Sequence, residues 1–305
     1  MKAIVFGGSG FLGSHVADAL TNAGYKVVVF DIKKSPYLQK GQDMVVGNIL
    51  DKETVEKAVT GCGVVYNFAG VADIKEAHKK PIETVENNIL GTTIILESCR
   101  KNKVKRFVFA STIYVYSEAG SFYQSSKQAC ELIIENYNEV FGLPYTILRY
   151  GSLYGPRADK RNYMYKILKQ AITEGKITSF GKSDDLREYI HVEDAARYSV
   201  DILSKEFENQ YVIITGAQPM RRGDLLTMIK EMLGNRIEVD FLPIDSELRY
   251  KVTPYSFSPK IAKVYRGASH LDLGQGILQC LDEIYKKYSH VKELEGIFMP
   301  DSDKE

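Results

Sequence analysis

The sequence predicts an α/β protein built on a doubly wound parallel sheet, with a smaller C-terminal substrate-binding lobe. Three observations carry this expectation. Apolar runs of strand length alternate with helical patterns down the first two-thirds of the chain. The first run, residues 3–6, is followed by glycines at 7, 10 and 13 and then by a helical stretch. A second strand, Lys26–Asp31, ends in an acid at the distance that a βαβ unit sets.

Taken in order, residues 3–6 are uniformly apolar, as a strand covered on both faces must be. Gly7 permits the sharp turn out of that strand, Gly10 removes a side chain from the path of a pyrophosphate, and Gly13 lets the next helix pack tightly on the strand. The N-terminus of that helix offers free N–H groups and a positive dipole end to the same anion. Asp31 stands where a carboxylate accepts hydrogen bonds from both hydroxyls of a ribose. A short strand at 43–46 leads to Asp51, which reads as the N-cap of a helix ending at Val59. The strand at 63–67 runs into Ala69 and Gly70, small residues that leave room above the sheet. Pro81 opens a long helix to about residue 101. Residues 104–110 form a strand ending in Ser111 and Thr112, residues 123–141 a helix, and residues 144–148 a strand closed by Arg149 and Tyr150. Residues 7–13, Asp31, Asn48, Ala69, Thr112 and Tyr150 thus all fall at carboxyl ends of strands, where a parallel sheet binds its ligands.

Beyond residue 150 the alternation loosens. Residues 151–165 are turn-rich; helices are expected at 167–174, 192–203, 222–233 and 273–288, and strands at 176–180, 211–215 and 237–241. The reading is a dinucleotide-binding domain of residues 1–150, rejoined by 189–215, and a lobe of 151–188 and 216–290. Residues 291–305 are expected to fray.

Composition narrows the function. The 305 residues are 44% hydrophobic and 26% charged with a net charge of +1, which gives no global electrostatic case for nucleic acid or membrane. Lys33, Lys34 and the basic run at 100–106 read as solvated surface. Cys62, Cys99, Cys130 and Cys280 are scattered, which argues against a zinc site or a disulfide framework and fits a reducing cytoplasm. No apolar stretch has the length of a secretory signal or a membrane span.

Tyr123 and Lys127 lie four apart on a predicted helix and share a face. An ammonium beside a phenol lowers its pKa, and the positive ring of an oxidised nicotinamide would lower it further. Such a tyrosine exchanges a hydroxyl proton near neutral pH, and Thr112 could hydrogen-bond the same oxygen. In a chain with 20 tyrosines this spacing also arises by chance. Its place after a Ser-Thr strand end, downstream of the glycine loop, points to catalysis.

Together with segments 7–13, 47–51, 67–70, 88–92, 110–116 and 148–156, the runs Tyr123-Gln-Ser-Ser-Lys127 and Arg187-Glu-Tyr-Ile-His-Val-Glu-Asp194 carry a resemblance. To about Tyr288 the chain resembles the extended short-chain dehydrogenase/reductases, specifically the NAD-dependent epimerase/dehydratase group acting on nucleotide sugars, and is similar to UDP-glucose 4-epimerases. The resemblance implies a Rossmann-type fold, NAD as cofactor, a nucleotide-diphosphate sugar as substrate and a homodimer or higher homo-oligomer, and the cysteine usage implies the cytoplasm. Dimers of the group pair the helix at 123–141 with the one from Pro81; Ile94, Ile95, Ile133 and Ile134 could supply that surface or belong to the core.

The resemblance also implies roles. Tyr123 is the acid/base, Lys127 orients it and holds the nicotinamide ribose, and Thr112 is their hydroxyl partner. Gly7, Gly10, Phe11, Leu12 and Gly13 hold the cofactor's pyrophosphate, Asp31 its adenosine ribose, and Asn48 and Ile49 flank its adenine. Ala69 lines the cofactor cleft, Asn88 supports it, and Tyr150 lies by the nicotinamide. Arg187 and Arg249 meet the diphosphate of the sugar nucleotide, and Ser152 stands where the group has a substrate-contacting Asn. Where dehydratases carry an Asp-Glu pair, this chain has Ile113 and Tyr114, which disfavours dehydration. The 112–123 connection is short for the group, and His191 reads as structural. The expected activity is oxidation at C4 of the sugar, as a 4-epimerase. A 4-dehydrogenase or a 4-keto-sugar reductase would use the same residues. Asp31 repels the 2′-phosphate of NADP, although Lys33 and Lys34 could meet one. A non-catalytic NAD-binding regulator is disfavoured by the joint retention of Thr112, Tyr123 and Lys127.

Overall fold

A computed structural model describes residues 1–115, 121–242, 262–267 and 269–288. In chain order the strands are β1 (Lys2–Phe6), β2 (Lys26–Asp31), β3 (Gln42–Val46), β4 (Val64–Asn67), β5 (Arg106–Thr112), β6 (Tyr145–Tyr150), β7 (Ser152–Tyr154), β8 (Lys176–Phe180), β9 (Leu186–His191), β10 (Gln210–Ile214), β11 (Pro219–Arg221), β12 (Glu238–Leu242) and β13 (Lys263–Tyr265). The α-helices are α1 (Phe11–Asn22), α2 (Lys52–Val59), α3 (Ile74–Lys79), α4 (Pro81–Thr84), α5 (Gly91–Lys101), α6 (Ser121–Phe141), α7 (Tyr163–Glu174), α8 (Val192–Asp201), α9 (Arg222–Met232) and α10 (Leu273–Tyr288). The chain forms two compact units.

The first unit holds Met1–Gly151, Glu193–Thr215 and residues 262–267. Its sheet has eight strands in the order β13-β10-β6-β5-β4-β1-β2-β3, all parallel. From β1 the chain winds outward through β2 and β3, then returns to β4 on the other side of β1. The winding therefore reverses between β1 and β4, which makes their carboxyl ends the switch point. β1, β5 and β6 are buried along nearly their whole length, as their apolar runs require. Asp51 caps α2 as expected, accepting from the Glu53 and Thr54 N–H groups. Tyr66, fully buried in β4, donates its hydroxyl to the Ser199 carbonyl of α8 at 2.6 Å and so ties that helix to the sheet.

Several expectations need correction. β13 joins the main sheet beside β10, although its residues fall within the stretch read as lobe; three residues carry no readable period. Residues 189–191 belong to β9 of the second unit, and the chain returns to the first at Glu193. The long helix from Pro81 is interrupted by a π-helical turn at Val85–Leu90. Arg106 is buried, not solvated, donating to Thr146 Oγ1 and pairing with Glu208, both at 3.0 Å. Of the two readings left open for the isoleucines, the core is the one found: Ile94, Ile95 and Ile134 belong to it and Ile133 packs against it. The exposed apolar side chains of α6 are instead Phe122, Leu132, Val140 and Phe141. Among the described residues no helix is long and apolar enough to cross a membrane.

The second unit holds Ser152–Val192 and residues 216–242 and 269–288. β9 pairs in parallel with β7 and antiparallel with β11, and β8 pairs in parallel with β12. Helices α7, α9 and α10 cover a core that includes Leu168, Ile229 and Ile277. β7, β9 and β11 are short and bear polar residues, so they escaped the pattern reading. The 291–305 tail lies outside the described residues.

Replacing Tyr66 with Phe leaves the Ser199 carbonyl without its buried donor. The expected cost is about 1–2 kcal/mol, read as a lower unfolding midpoint in denaturant with an unchanged slope.

Candidate active site

The glycine loop follows β1 at the switch point. Gly7 has φ +75°, and its N–H donates to the Phe30 carbonyl at 2.9 Å. A Cβ here would lie 2.7 Å from the Ala69 backbone nitrogen, so the turn after β1 and the loop after β4 touch backbone to backbone. At Gly13 a Cβ would stand 2.2 Å from the Gly7 carbonyl oxygen. The third glycine thus lets α1 start against the loop itself, rather than against the strand. Gly10 is the N-cap of α1 and supplies no capping side chain, and the first turn, with Phe11, Leu12 and Gly13, holds no acid. The start of α1 is left to an outside anion, which fits the pyrophosphate of a dinucleotide.

Asp31 ends β2 and braces this loop. Its Oδ2 accepts from the Ser9 N–H at 3.0 Å, and Ser9 Oγ in turn donates to the Lys33 carbonyl at 2.9 Å. An ionised carboxylate has about four acceptor sites, so capacity for ribose hydroxyls remains. Lys33 and Lys34 are exposed. Asn48 is exposed, its Oδ1 accepting from the Leu50 N–H. Ile49 departs from expectation: its side chain is buried in the core, where a Cβ at Gly91 would come within 2.6 Å of it, so it has only backbone to offer a ligand.

The chemical residues gather on β5 and α6. Thr112, buried at the end of β5, stands opposite Tyr150 in the register with β6. Lys127 is buried and donates Nζ to the Ala110 carbonyl at 2.8 Å, two residues before Thr112. The same Nζ lies 5.9 Å from the Tyr123 ring centroid, so the two share a face as the spacing required. The middle of the 112–123 connection, residues 116–120, lies outside the described residues.

Two expectations change. Burial pushes the Tyr123 phenol up to about 12. Lys127 by itself therefore does not bring it toward neutrality, because desolvation outweighs an ammonium already engaged with a carbonyl. Tyr150 is buried with its hydroxyl 2.6 Å from Ser199 Oγ, so its side chain serves packing and offers no free hydroxyl to a cofactor.

Asn88, in the π turn, links the parts. Its Oδ1 accepts from the Val71 N–H at 2.7 Å, while its Nδ2 donates to the Val71 carbonyl at 3.1 Å and to Ser126 Oγ at 2.8 Å. It thus joins the loop that brings Ala69 to Gly7 with the helix that carries Tyr123 and Lys127.

The second unit has its own polar cavity, of about 220 Å³, lined by Ser152, Leu153, Tyr163, Met164, Arg187, Tyr189 and Arg222. Two guanidinium groups and no carboxylate line it, which suits an anion. Arg187 donates to the Leu186 carbonyl and has no acidic partner among the described residues. Arg222, which sequence reading missed, is buried, donates to the Phe180 carbonyl and pairs with Asp185 at 3.3 Å. Its signal was only a second arginine after Arg221 at a helix start. Arg249 lies outside the described residues. His191 is buried with its ring 5.3 Å from that of Tyr154.

Comparison with known proteins places this geometry. The model described as the NAD dependent epimerase/dehydratase family matches residues 3–214. A putative UDP-glucose 4-epimerase of Methanocaldococcus jannaschii is 28% identical over 299 residues, covering 90% of this chain and 95% of that protein. A dTDP-D-glucose 4,6-dehydratase of Dictyostelium discoideum is 27% identical over 254 residues, covering 70% of this chain; the match spans 58% of that longer protein. Among solved structures, the UDP-glucuronic acid 4-epimerase of Bacillus cereus in complex with UDP-glucuronic acid and NAD superposes with a TM-score of 0.81 at 25% identity, covering 94% of this chain and all of that one.

Because burial holds its phenol so high, Tyr123 should stay protonated through pH 10 in the cofactor-free protein. The absorbance difference between wild type and Tyr123→Phe is expected to show no phenolate band from pH 7 to 10. A band growing in across that range would refute the burial argument.

Proposed function

The chain belongs to the NAD dependent epimerase/dehydratase family, and on that premise we propose that it is a nucleotide-sugar 4-epimerase, working by transient oxidation at C4 of the sugar. The observation that carries the chemical part is the Lys127 ammonium, fixed on the Ala110 carbonyl and 5.9 Å from the Tyr123 ring. In this reading Tyr123 Oη takes the proton of the C4 hydroxyl and later returns it. Thr112 Oγ1 hydrogen-bonds the same oxygen and keeps it aligned, and Lys127 orients the phenol and stabilises its anion. NAD, when bound, supplies the acceptor for the hydride leaving C4 and a positive charge that lowers the phenol's pKa. Gly7, Gly10, Phe11, Leu12 and Gly13 would hold its pyrophosphate, Asp31 its adenosine ribose and Lys127 its second ribose.

The cavity with Arg187, Arg222 and Ser152 would take the diphosphate of the sugar nucleotide. Bidentate guanidinium groups suit phosphoryl oxygens, and a site without a carboxylate does not repel them. Elimination of water would need a further acid and base beside Thr112. The next residue, Ile113, is apolar and buried, which favours epimerisation over dehydration.

Three measurements test this. Tyr123→Phe should retain NAD and lose about 10²–10⁴-fold in turnover of UDP-glucose or UDP-glucuronic acid; unchanged turnover would remove Tyr123 from the chemistry. An epimerase interconverts the C4 epimers with no net NADH, whereas NADH accumulating with a keto sugar would mark a dehydrogenase. Arg187→Gln should weaken UDP about tenfold or more while leaving uridine binding unchanged; equal loss for both would place Arg187 away from the phosphates.

A further inference from the structure

Where β5, β6 and α6 meet, the first unit buries a carboxylate. Glu131 is 1% exposed. Its Oε1 accepts from Ser111 Oγ at 2.6 Å and from Arg149 Nε at 3.1 Å, and its Oε2 accepts from Arg149 Nη2 at 2.8 Å. Arg149 is buried as well, its guanidinium carbon 4.5 Å from the Tyr211 ring centroid. Such a pair is a poor source of stability, because removing two charges from water costs about as much as their attraction returns. Well-packed apolar side chains of similar volume would hold the three elements at least as firmly.

The location gives the pair another purpose. Ser111 directly precedes Thr112, Arg149 directly precedes Tyr150, and Glu131 lies one turn beyond Lys127 on the same side of α6. Lys127 is a buried ammonium whose one hydrogen bond among the described residues goes to a neutral carbonyl. Several groups surround it. On α6 they are Tyr123, Cys130 and Glu131; on β5, the Phe109 ring at 4.7 Å and the Ala110 carbonyl; on β6, Arg149, which Glu131 holds. The π turn contributes the neutral Asn88, whose carbonyl accepts from Cys130 Sγ. Glu131 is the one carboxylate of this set among the described residues.

Building on the reading of Tyr123 and Lys127 above, we infer that Glu131 is a positioning residue: hydrogen-bonded between the strands carrying Thr112 and Tyr150 and the helix carrying Tyr123, it supplies the counter-charge of the Lys127 ammonium. Burial pushes Lys127 below its ordinary range, and Cys130 and Glu131 oppose that shift. A buried lysine without a nearby anion is pushed further toward its neutral form, which weakens its hold on the phenolate.

The test reads Lys127 directly. The full chain, loaded with NAD, is labelled with ¹³C at the lysine ε carbons, and the Lys127 resonance is assigned by its loss in Lys127→Arg. Titrations then compare wild type, Glu131→Gln and the double variant Glu131→Met with Arg149→Met. In Glu131→Gln the Lys127 midpoint should fall by a pH unit or more, a tenfold change in its protonation equilibrium. In the Met pair it should fall by less, because the Arg149 charge is removed too. Thermal unfolding should drop in Glu131→Gln, which strands a buried guanidinium, and recover toward wild type in the Met pair. A Met pair with recovered stability and a wild-type Lys127 midpoint would overturn the proposal, leaving Glu131 a packing residue only. Should Glu131→Gln fail to fold, the Met pair alone decides. Full turnover of UDP-glucose by Tyr123→Phe would instead remove the acid/base reading, and it would leave the Lys127 midpoints where they are.

Discussion

Asn88 satisfies both backbone groups of Val71 and still has a donor for Ser126. An aspartate would lack the donors, and a leucine would leave both Val71 backbone groups unpaired and take away the donor to Ser126 Oγ, which itself donates to the Tyr123 carbonyl, so the amide is the one side chain of that size that closes all three bonds. The glycine loop and the helix that carries Tyr123 and Lys127 depend on this junction. The loop after β4 can lie against Gly7 only if its own backbone is held, and Ser126 is the residue next to Lys127. The π-helical turn at Val85–Leu90 gives Asn88 its buried place, and wide turns of this kind recur at functional positions in helices.

Around that junction the first unit is assembled by close backbone approaches rather than by side-chain bulk. Gly7 meets the Ala69 backbone, and Gly13 meets the Gly7 carbonyl. Asp31 adds a side-chain brace through Ser9. The carboxylate proposed to read a ribose therefore also fixes the glycine loop. All of this lies where β1 and β4 diverge, the position at which a reversed winding leaves strand ends uncovered.

The electrostatics follow from burial. Tyr123 is pushed up and Lys127 down by the same exclusion of water, so each disfavours its own charged form in the resting protein. Together they form a pair poised to accept external charge: a positive ring favours the phenolate, and a phenolate favours the ammonium. The Ser111, Glu131 and Arg149 triad adjoins this pair, with Glu131 one helical turn from Lys127 and its carboxylate held against the Arg149 guanidinium.

Residues near one another in the chain were legible from the sequence. The glycine loop, the acid at the end of β2, the N-cap at Asp51 and the shared face of Tyr123 and Lys127 all rest on fixed local geometry, a turn or a period of 3.6, which spacing alone reports. The sheet was legible for the same reason, since each buried strand must be an apolar run. Tertiary structure decided whatever depends on partners distant in sequence. It sent Ile49 and the Tyr150 hydroxyl into packing, buried Arg106 against Glu208, added β13 to the main sheet and set Arg222 beside Arg187. It also raised the Tyr123 phenol that local charge was expected to lower. Desolvation and pairing are sums over every neighbour in space, and no local pattern of residues contains them.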